Sequence, residues 1–299
     1  MATITIIGSG MMGSALAFPA RENGNTVRLV GTHLDREIID ECRKTNRHPK
    51  FAKHFPKGVP PFPAGCEFYQ IEQMDEAVKG ADLVIGGVSS FGVDWFGEEV
   101  LPKIPVEIPV LSVTKGLLDT DDAKLLTYPA VWEARLAAKG IKRDICAIGG
   151  PCTSYELVDH DQTEVAFCGK DIEVLRKIKA IMATDYYHIS LSTDVVGGLR
   201  EQQAAGRYIG AICAAPGFVL ATHGIITDGP ATGYPGCEAG IRNCTGRDVE
   251  HDAAHRIITS RGPGLCLSFA LELLRALEGP QVASKVAEGM LITAQAPTR

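Results

Sequence analysis

The chain opens on alternating apolar and β-branched residues, ATITII, halted by Gly8-Ser9-Gly10, and passes to apolar positions at helical spacing, MMGSALAF, stopped by Gly24. A period of two giving way to a period near 3.6 predicts a strand followed by a helix. NTVRLVGT repeats the strand pattern and REIIDECRK the helical one. Further strand-like runs stand at 81–88 (ADLVIGGV), 109–116 (PVLSVTKG), 144–150 (DICAIGG), 164–169 (EVAFCG) and 186–192 (YYHISLS). DDAKLLTYPAVWEARLAAKG and DIEVLRKIKAIM read as amphipathic helices among them. Strand and helix in alternation predict an α/β fold, a doubly wound and mostly parallel sheet with helices on its faces.

After Ser192 the strand signal fades. Helical patterns cover 194–214, 265–277 and 282–295, while the glycine- and cysteine-rich stretch 224–246 carries no clear pattern. A chain of 299 residues suits two domains, or one large one. The expectation is an α/β domain over 1–190 and a smaller, mostly α-helical domain over 191–299.

Charge narrows the partners. Lysine and arginine number 30 against 36 acids, a net charge of −6, with no long basic run. Neither nucleic acid nor an anionic membrane is an expected partner, and a small anionic substrate would need local arginines or helix N-termini. The longest apolar stretch, Tyr208 to Ala221, is interrupted by Pro216-Gly217 and reads as a buried helix rather than a membrane span. The first strand begins almost at Met1, leaving no room for a targeting segment, so a cytoplasmic location is expected. Nine cysteines without a CxxC pair read as reduced, packed thiols. Cys237, Cys244, His251 and His255 form C-x6-C-x6-H-x3-H; the histidines would share a helix face, but the cysteine gap is wider than zinc sites use, and no metal is expected.

Gly8-Ser9-Gly10-Met11-Met12-Gly13 is GxGxxG between a strand pattern and a helix pattern. The first glycine permits the turn, the second lets a pyrophosphate approach the backbone, and the third lets helix pack on strand. This makes the sheet Rossmann-type and predicts NAD or NADP as cofactor. Where NAD-selective sites place an acid at the tip of the second strand, this chain reads Val30-Gly31-Thr32-His33-Leu34-Asp35-Arg36. Thr32, His33 and Arg36 are candidates to receive a 2′-phosphate, and use of both nucleotides is the expectation.

More segments fit the same enzyme class in order. Gly87 to Gly92, with Ser89 and Phe91, follows a strand and can set Phe91 against a nicotinamide; Ser112-Val113-Thr114-Lys115-Gly116-Leu117 ends the next strand with a lysine; Gly149-Gly150-Pro151-Cys152-Thr153-Ser154-Tyr155-Glu156 closes another. Together with ATDYYHISLSTDVVG, the chain resembles the NAD(P)-dependent glycerol-3-phosphate dehydrogenase family. The resemblance runs through residues 1 to about 200 and weakens afterwards, where Asp252, Thr259-Ser260-Arg261 and Val286-Ala287-Glu288-Gly289 recur at roughly family spacing. It implies that Met11, Met12, Ser154 and Glu288 touch the dinucleotide and that Lys115 touches both cofactor and substrate. It further implies that Gly150 and Cys152 hold substrate, that Ser260 and Arg261 bind its phosphate, and that Asp252 orients the catalytic amine. A homodimer is implied at the family level.

One implied residue is missing. The family's adjacent Lys-Asn pair falls on Ala205-Gly206, and Gly262 stands where asparagine follows the arginine. A placed general acid is typically worth roughly 10²–10⁴-fold in rate. Either Lys115 takes the role, or Arg200, Gln203 and Arg207, on one helix face, stabilise the developing alkoxide without donating a proton. The expected activity is hydride transfer between NAD(P)H and a small phosphorylated ketone such as dihydroxyacetone phosphate. The alternatives are a dinucleotide-binding sensor or scaffold without catalysis, and a dehydrogenase of altered substrate.

Overall fold

A computed structural model describes residues 1–114, 117–119, 125–150, 152–193, 199 and 202–292. The chain divides into two compact units, Met1–Asp194 and Val195–Arg299.

In the first unit the alternating runs become β1 (Thr3–Ile7), β2 (Thr26–Val30), β3 (Cys66–Tyr69), β4 (Leu83–Gly86), β5 (Val110–Ser112) and β8 (Ile145–Gly149), all parallel. β9 (Thr163–Cys168) joins β8 antiparallel, and β10 (Tyr187–Ser192) joins β9 parallel. The sheet order is β10-β9-β8-β5-β4-β1-β2-β3. A small antiparallel pair, β6 (Leu117–Asp119) with β7 (Leu125–Thr127), stands apart. The α/β architecture expected from the alternation is the one observed. β3 is an addition, a four-residue strand too short for its pattern to stand out.

Period-two alternation sorts the strand side chains between two helical layers. Ile4, Ile6, Leu83 and Ile85 pack in one apolar layer with Leu16, Phe18 and Ile178, and Ile7, Val84 and Val110 in the other with Phe96, Trp132 and Leu136. Each such fully buried side chain contributes about 1.5–3 kcal/mol. The Trp132 indole N–H is satisfied by the Val93 carbonyl at 2.9 Å.

The first helix is broken for a covalent reason. α1 (Met11–Ala15) and α2 (Ala17–Glu22) meet at Leu16. Pro19 has no N–H to offer the Ala15 carbonyl one turn back, and its ring crowds that oxygen. α3 (Arg36–Thr45) ends on Asn46 in the left-handed conformation, φ 55°. The chain then makes an excursion before β3, in which Pro49–Lys53 forms a 3₁₀ turn and Phe51 and Phe62 are buried. Asn46 closes it: its carbonyl accepts from Phe62 N–H and its side-chain amide donates to the Phe62 carbonyl, both at 2.8 Å.

In the second unit β11 (Ile209–Ile212) pairs parallel with β13 (Ile257–Ser260), which pairs antiparallel with β12 (Val249–Asp252). Helices Cys266–Glu278 and Pro280–Gly289 follow. The helix expected over 194–214 gives way to β11 at its end. An apolar run fits a buried strand or helix equally, and here Ile209 and Ala211 alternate inward. The helical turn at 202–204 ends on Gly206, φ 64°, whose N–H bonds to the Gln203 carbonyl while Arg207 N–H bonds to the Gln202 carbonyl. That pair of bonds is a Schellman ending, for which glycine is the favoured residue.

Candidate functional site

Parallel strands deliver their C-terminal ends to one edge. There the loops at 8–13, 31–35 and 87–92, which follow β1, β2 and β4, gather with Val113 and Thr114 after β5 and with Gly150, Cys152 and Thr153 after β8. Strand order reverses between β1 and β4, and a crevice for ligands opens at such a point.

The turn after β1 is built from glycines because nothing larger fits. Gly8 has φ 110°, and a Cβ on it would lie 2.7 Å from the Gly87 carbonyl carbon. A Cβ on Gly13 would collide with the Gly8 carbonyl oxygen, and one on Gly87 would come within 2.9 Å of Gly13 Cα. Gly10 differs: its Cβ would meet only the Gly87 oxygen, at 3.6 Å. Packing therefore requires Gly8 and Gly13, whereas Gly10 leaves space for a ligand. Gly10 caps α1 in extended conformation without a side-chain bond, so the first N–H groups of α1, those of Met11 and Met12, have no carbonyl one turn before them. Ser9 Oγ and Ser14 Oγ are buried with no partner among the described residues. An open approach with free backbone donors fits a pyrophosphate.

At the end of β2, Asp35 turns its carboxylate back to accept from Thr32 N–H at 3.0 Å and from the Thr32 hydroxyl at 2.8 Å. His33 meets Trp95 edge-on at 5.6 Å, and Arg36 pairs with Glu72. Beyond β4, Ser89 is exposed and Phe91 stands 99% exposed at the crevice edge, an unusual placement for a phenyl ring. Thr114 ties the β5 loop to this segment by donating to the Val88 carbonyl at 2.8 Å. Gly150 has φ 135°, Cys152 is buried, and Ser154 begins the helix Ser154–Asp159, where Glu156 accepts from Thr153 N–H at 2.6 Å. Lys115 and Arg200 lie outside the described residues.

Other expected site residues have different company. Arg207 lies beyond the Gly206 helix end and is not on a continued face with Gln203, which corrects the expected clamp: left-handed glycine turns the chain there. Asp252 is buried and bonds through Oδ2 to His255 Nδ1 at 2.6 Å. The Ser260 hydroxyl donates to the Asp248 carbonyl at 2.9 Å, and Arg261 lies 3.8 Å from the Asp248 carboxylate. Glu288 is exposed on Pro280–Gly289. His251 is on β12 and bonds to Glu272, while His255 is in the turn that follows, so the two do not share a helix. Among the described residues no group of three or more His, Cys, Asp or Glu is placed to hold a metal ion.

Two residues escaped the sequence reading. His48, on the excursion, is buried and contacts the Ser9 carbonyl. Cys213, directly after β11, has φ 66°, with its N–H on the Ser260 carbonyl and its own carbonyl accepting from Tyr234 N–H, both at 2.8 Å. A π-helical segment, Pro216–Ala221, follows at once. A cysteine in a conformation that costs L residues energy, on a strand-to-helix turn, is a candidate thiol site.

The reversal of strand order and the glycine turn beside it define an α/β protein of the Rossmann dinucleotide class. The chain belongs to the NAD-dependent glycerol-3-phosphate dehydrogenase N-terminus family, whose family model matches residues 3–175, and to the DJ-1/PfpI family, whose family model matches residues 187–276. The NADP(+)-dependent glycerol-3-phosphate dehydrogenase of Archaeoglobus fulgidus is 31% identical over 194 residues, covering 65% of this chain and 54% of that protein. Protein dj-1beta of Drosophila melanogaster is 32% identical over 147 residues, covering 43% of this chain and 77% of that protein. In fold, the glycerol-3-phosphate dehydrogenase of Coxiella burnetii superposes with a TM-score of 0.54 at 19% identity, over 66% of this chain and 55% of that one. The chain spans about half the length of the curated dehydrogenases it matches. Asp252, Ser260, Arg261 and Glu288 thus lie beyond the segment matched by the dehydrogenase family model.

Proposed function

We propose that the chain binds NAD or NADP across the Gly8–Gly13 turn and is an oxidoreductase moving hydride between that nucleotide and a small phosphorylated ketone, dihydroxyacetone phosphate. The observation that carries this reading is the cradle, where Gly8, Gly13 and Gly87 close on one another and Gly10 alone stands open. The Met11 and Met12 N–H groups hold the pyrophosphate, Thr32 and His33 border the adenosine end, and Ser89, Phe91 and Ser154 border the other. A bound reduced nicotinamide supplies the hydride. Lys115 donates the proton to the substrate oxygen, and Gly150 and Cys152 hold the substrate. A cytoplasmic location and a homodimer belong to the same proposal; no helix among the described residues is long and apolar enough to cross a membrane.

A second reading, nucleotide binding without reduction of this ketone, is favoured by Ala205-Gly206 standing where the resemblance requires Lys-Asn. NADPH oxidation by the parent and by Lys115→Ala, with dihydroxyacetone phosphate, separates the two. Turnover lost in the variant supports reduction; nucleotide binding without turnover in the parent supports the second reading.

For the second unit we propose a reactive thiol at Cys213. Its support is the positive φ of a residue with a side chain at a strand-to-helix turn, on a free and half-buried cysteine. Alkylation of the native protein followed by peptide mapping tests it, and failure of Cys213 to label would remove it.

A further inference from the structure

The glycines of the dinucleotide turn are not its only support. His48, on the excursion after α3, is 1% exposed and places Nε2 2.9 Å from the Ser9 carbonyl oxygen and Nδ1 3.2 Å from the Lys50 N–H. A carbonyl only accepts and a backbone N–H only donates, so the two contacts together assign the tautomer: the proton is on Nε2 and the lone pair on Nδ1. The ring packs on Phe51 with centroids 4.8 Å apart. Burial, the largest influence, pushes the imidazole below its ordinary range; nearby Lys50 adds to this, while the Ser9 carbonyl and Asp35 oppose it. The ring is therefore neutral at neutral pH, the state both contacts require.

The Ser9 carbonyl and the Gly10 N–H belong to one planar trans peptide and point in opposite directions. Drawing the carbonyl onto His48 turns the Gly10 N–H away from it. Ser9 has no alternative anchor of its own, because its hydroxyl is buried without a partner among the described residues. The excursion that carries His48 is itself held, by Asn46 with Phe62 and by His54 stacked on Tyr155 of the helix Ser154–Asp159 at 4.7 Å. We propose that His48 is a positioning residue for nucleotide binding, locking the Ser9–Gly10 peptide plane so that the turn is set before the dinucleotide arrives. This rests on the NAD(P) reading above. A donor placed in advance spares the ligand the ordering of the loop.

The test pairs His48→Phe, which keeps a ring and removes the donor, with His48→Gln, which returns an amide N–H of similar reach. NADPH affinity measured by fluorescence titration should fall about tenfold in His48→Phe and recover to within about threefold in His48→Gln. In the parent, a long-range ¹H–¹⁵N spectrum should show the Nε2-protonated neutral ring. The Gly10 amide resonance should move in His48→Phe and return in His48→Gln, a rescue that a merely space-filling ring would not give. A folded His48→Phe binding NADPH within about twofold of the parent overturns the inference, as does an Nδ1-protonated ring in the parent even if His48→Phe fails to fold. A parent that binds neither NADPH nor NADH overturns the NAD(P) reading and this inference together. That result is distinct from a parent that binds while His48→Phe binds as well.

Discussion

Both units pass from a strand into a helical segment through a residue of positive φ, and they differ in which residue takes it. After β1 it is Gly8, φ 110°; after β11 it is Cys213, φ 66°. The left-handed region costs an L residue roughly 1–2 kcal/mol, which glycine escapes. At Gly8 no side chain fits beneath the Gly87 carbonyl, so the first turn is a backbone device. At Cys213 a side chain is kept in spite of the conformation, so the second turn presents a side chain. The first suits a ligand held by main-chain N–H groups; the second suits chemistry at a sulfur.

The thiols give the widest separation between the regions. Burial pushes Cys42 and Cys66 up to about 12 and Cys146 up to about 11. At pH 8 these three should resist alkylation in the native protein while Cys213, together with the exposed Cys244 and Cys266, labels, a contrast read by peptide mapping. The same shifts carry a sign for stability. Above the unfolded value of 9.0 the unfolded chain releases thiol protons that the folded chain retains, so stability should fall as pH rises from 9.0 toward 12, and urea midpoints across that range check it.

Backbone crowding comes next. Gly13→Ala drives a Cβ into the Gly8 carbonyl oxygen and should destabilise the first unit by about 3 kcal/mol, read by urea unfolding. Cys213→Gly should act in the opposite direction in the second unit, stabilising it by about 1 kcal/mol while abolishing labelling at that position. A Cys213→Gly variant less stable than its parent would mean that the cysteine side chain contributes more through packing than its backbone costs. The smallest effect concerns nucleotide choice: Glu72→Ala frees Arg36 from an exposed pair and should shift preference toward NADPH over NADH by about threefold, measured as a ratio of Kd values.

How much of this was legible in the sequence follows the same division. Alternating runs and GxGxxG are local patterns, and they located the parallel strands of the first unit apart from short β3. Phe91, Thr32 and Ser154 could be placed because strand ends gather wherever strands run parallel. His48 could not, because its role depends on contact across 39 positions and on burial, neither of which leaves a periodic trace. The left-handed backbone at Cys213 is likewise invisible in Ile212-Cys213-Ala214, although a β-branched run ending in cysteine and small residues was a usable hint. Arg207 misled because i, i+7 spacing assumes one helix, and Gly206 interrupts it. Beyond Ser192 the dehydrogenase resemblance rested on isolated short motifs, and residues 187–276 match a second family.

Calorimetric titration of NADPH and NADH into the parent and into Gly10→Ala bears most directly on the cradle, since a Cβ at Gly10 meets the protein only at 3.6 Å and would stand where a phosphate approaches. Expected is one saturable site in the parent, weakened about tenfold or more in Gly10→Ala with an unchanged Tm. No heat in the parent, or equal affinity in the two proteins, would contradict a dinucleotide held on that turn.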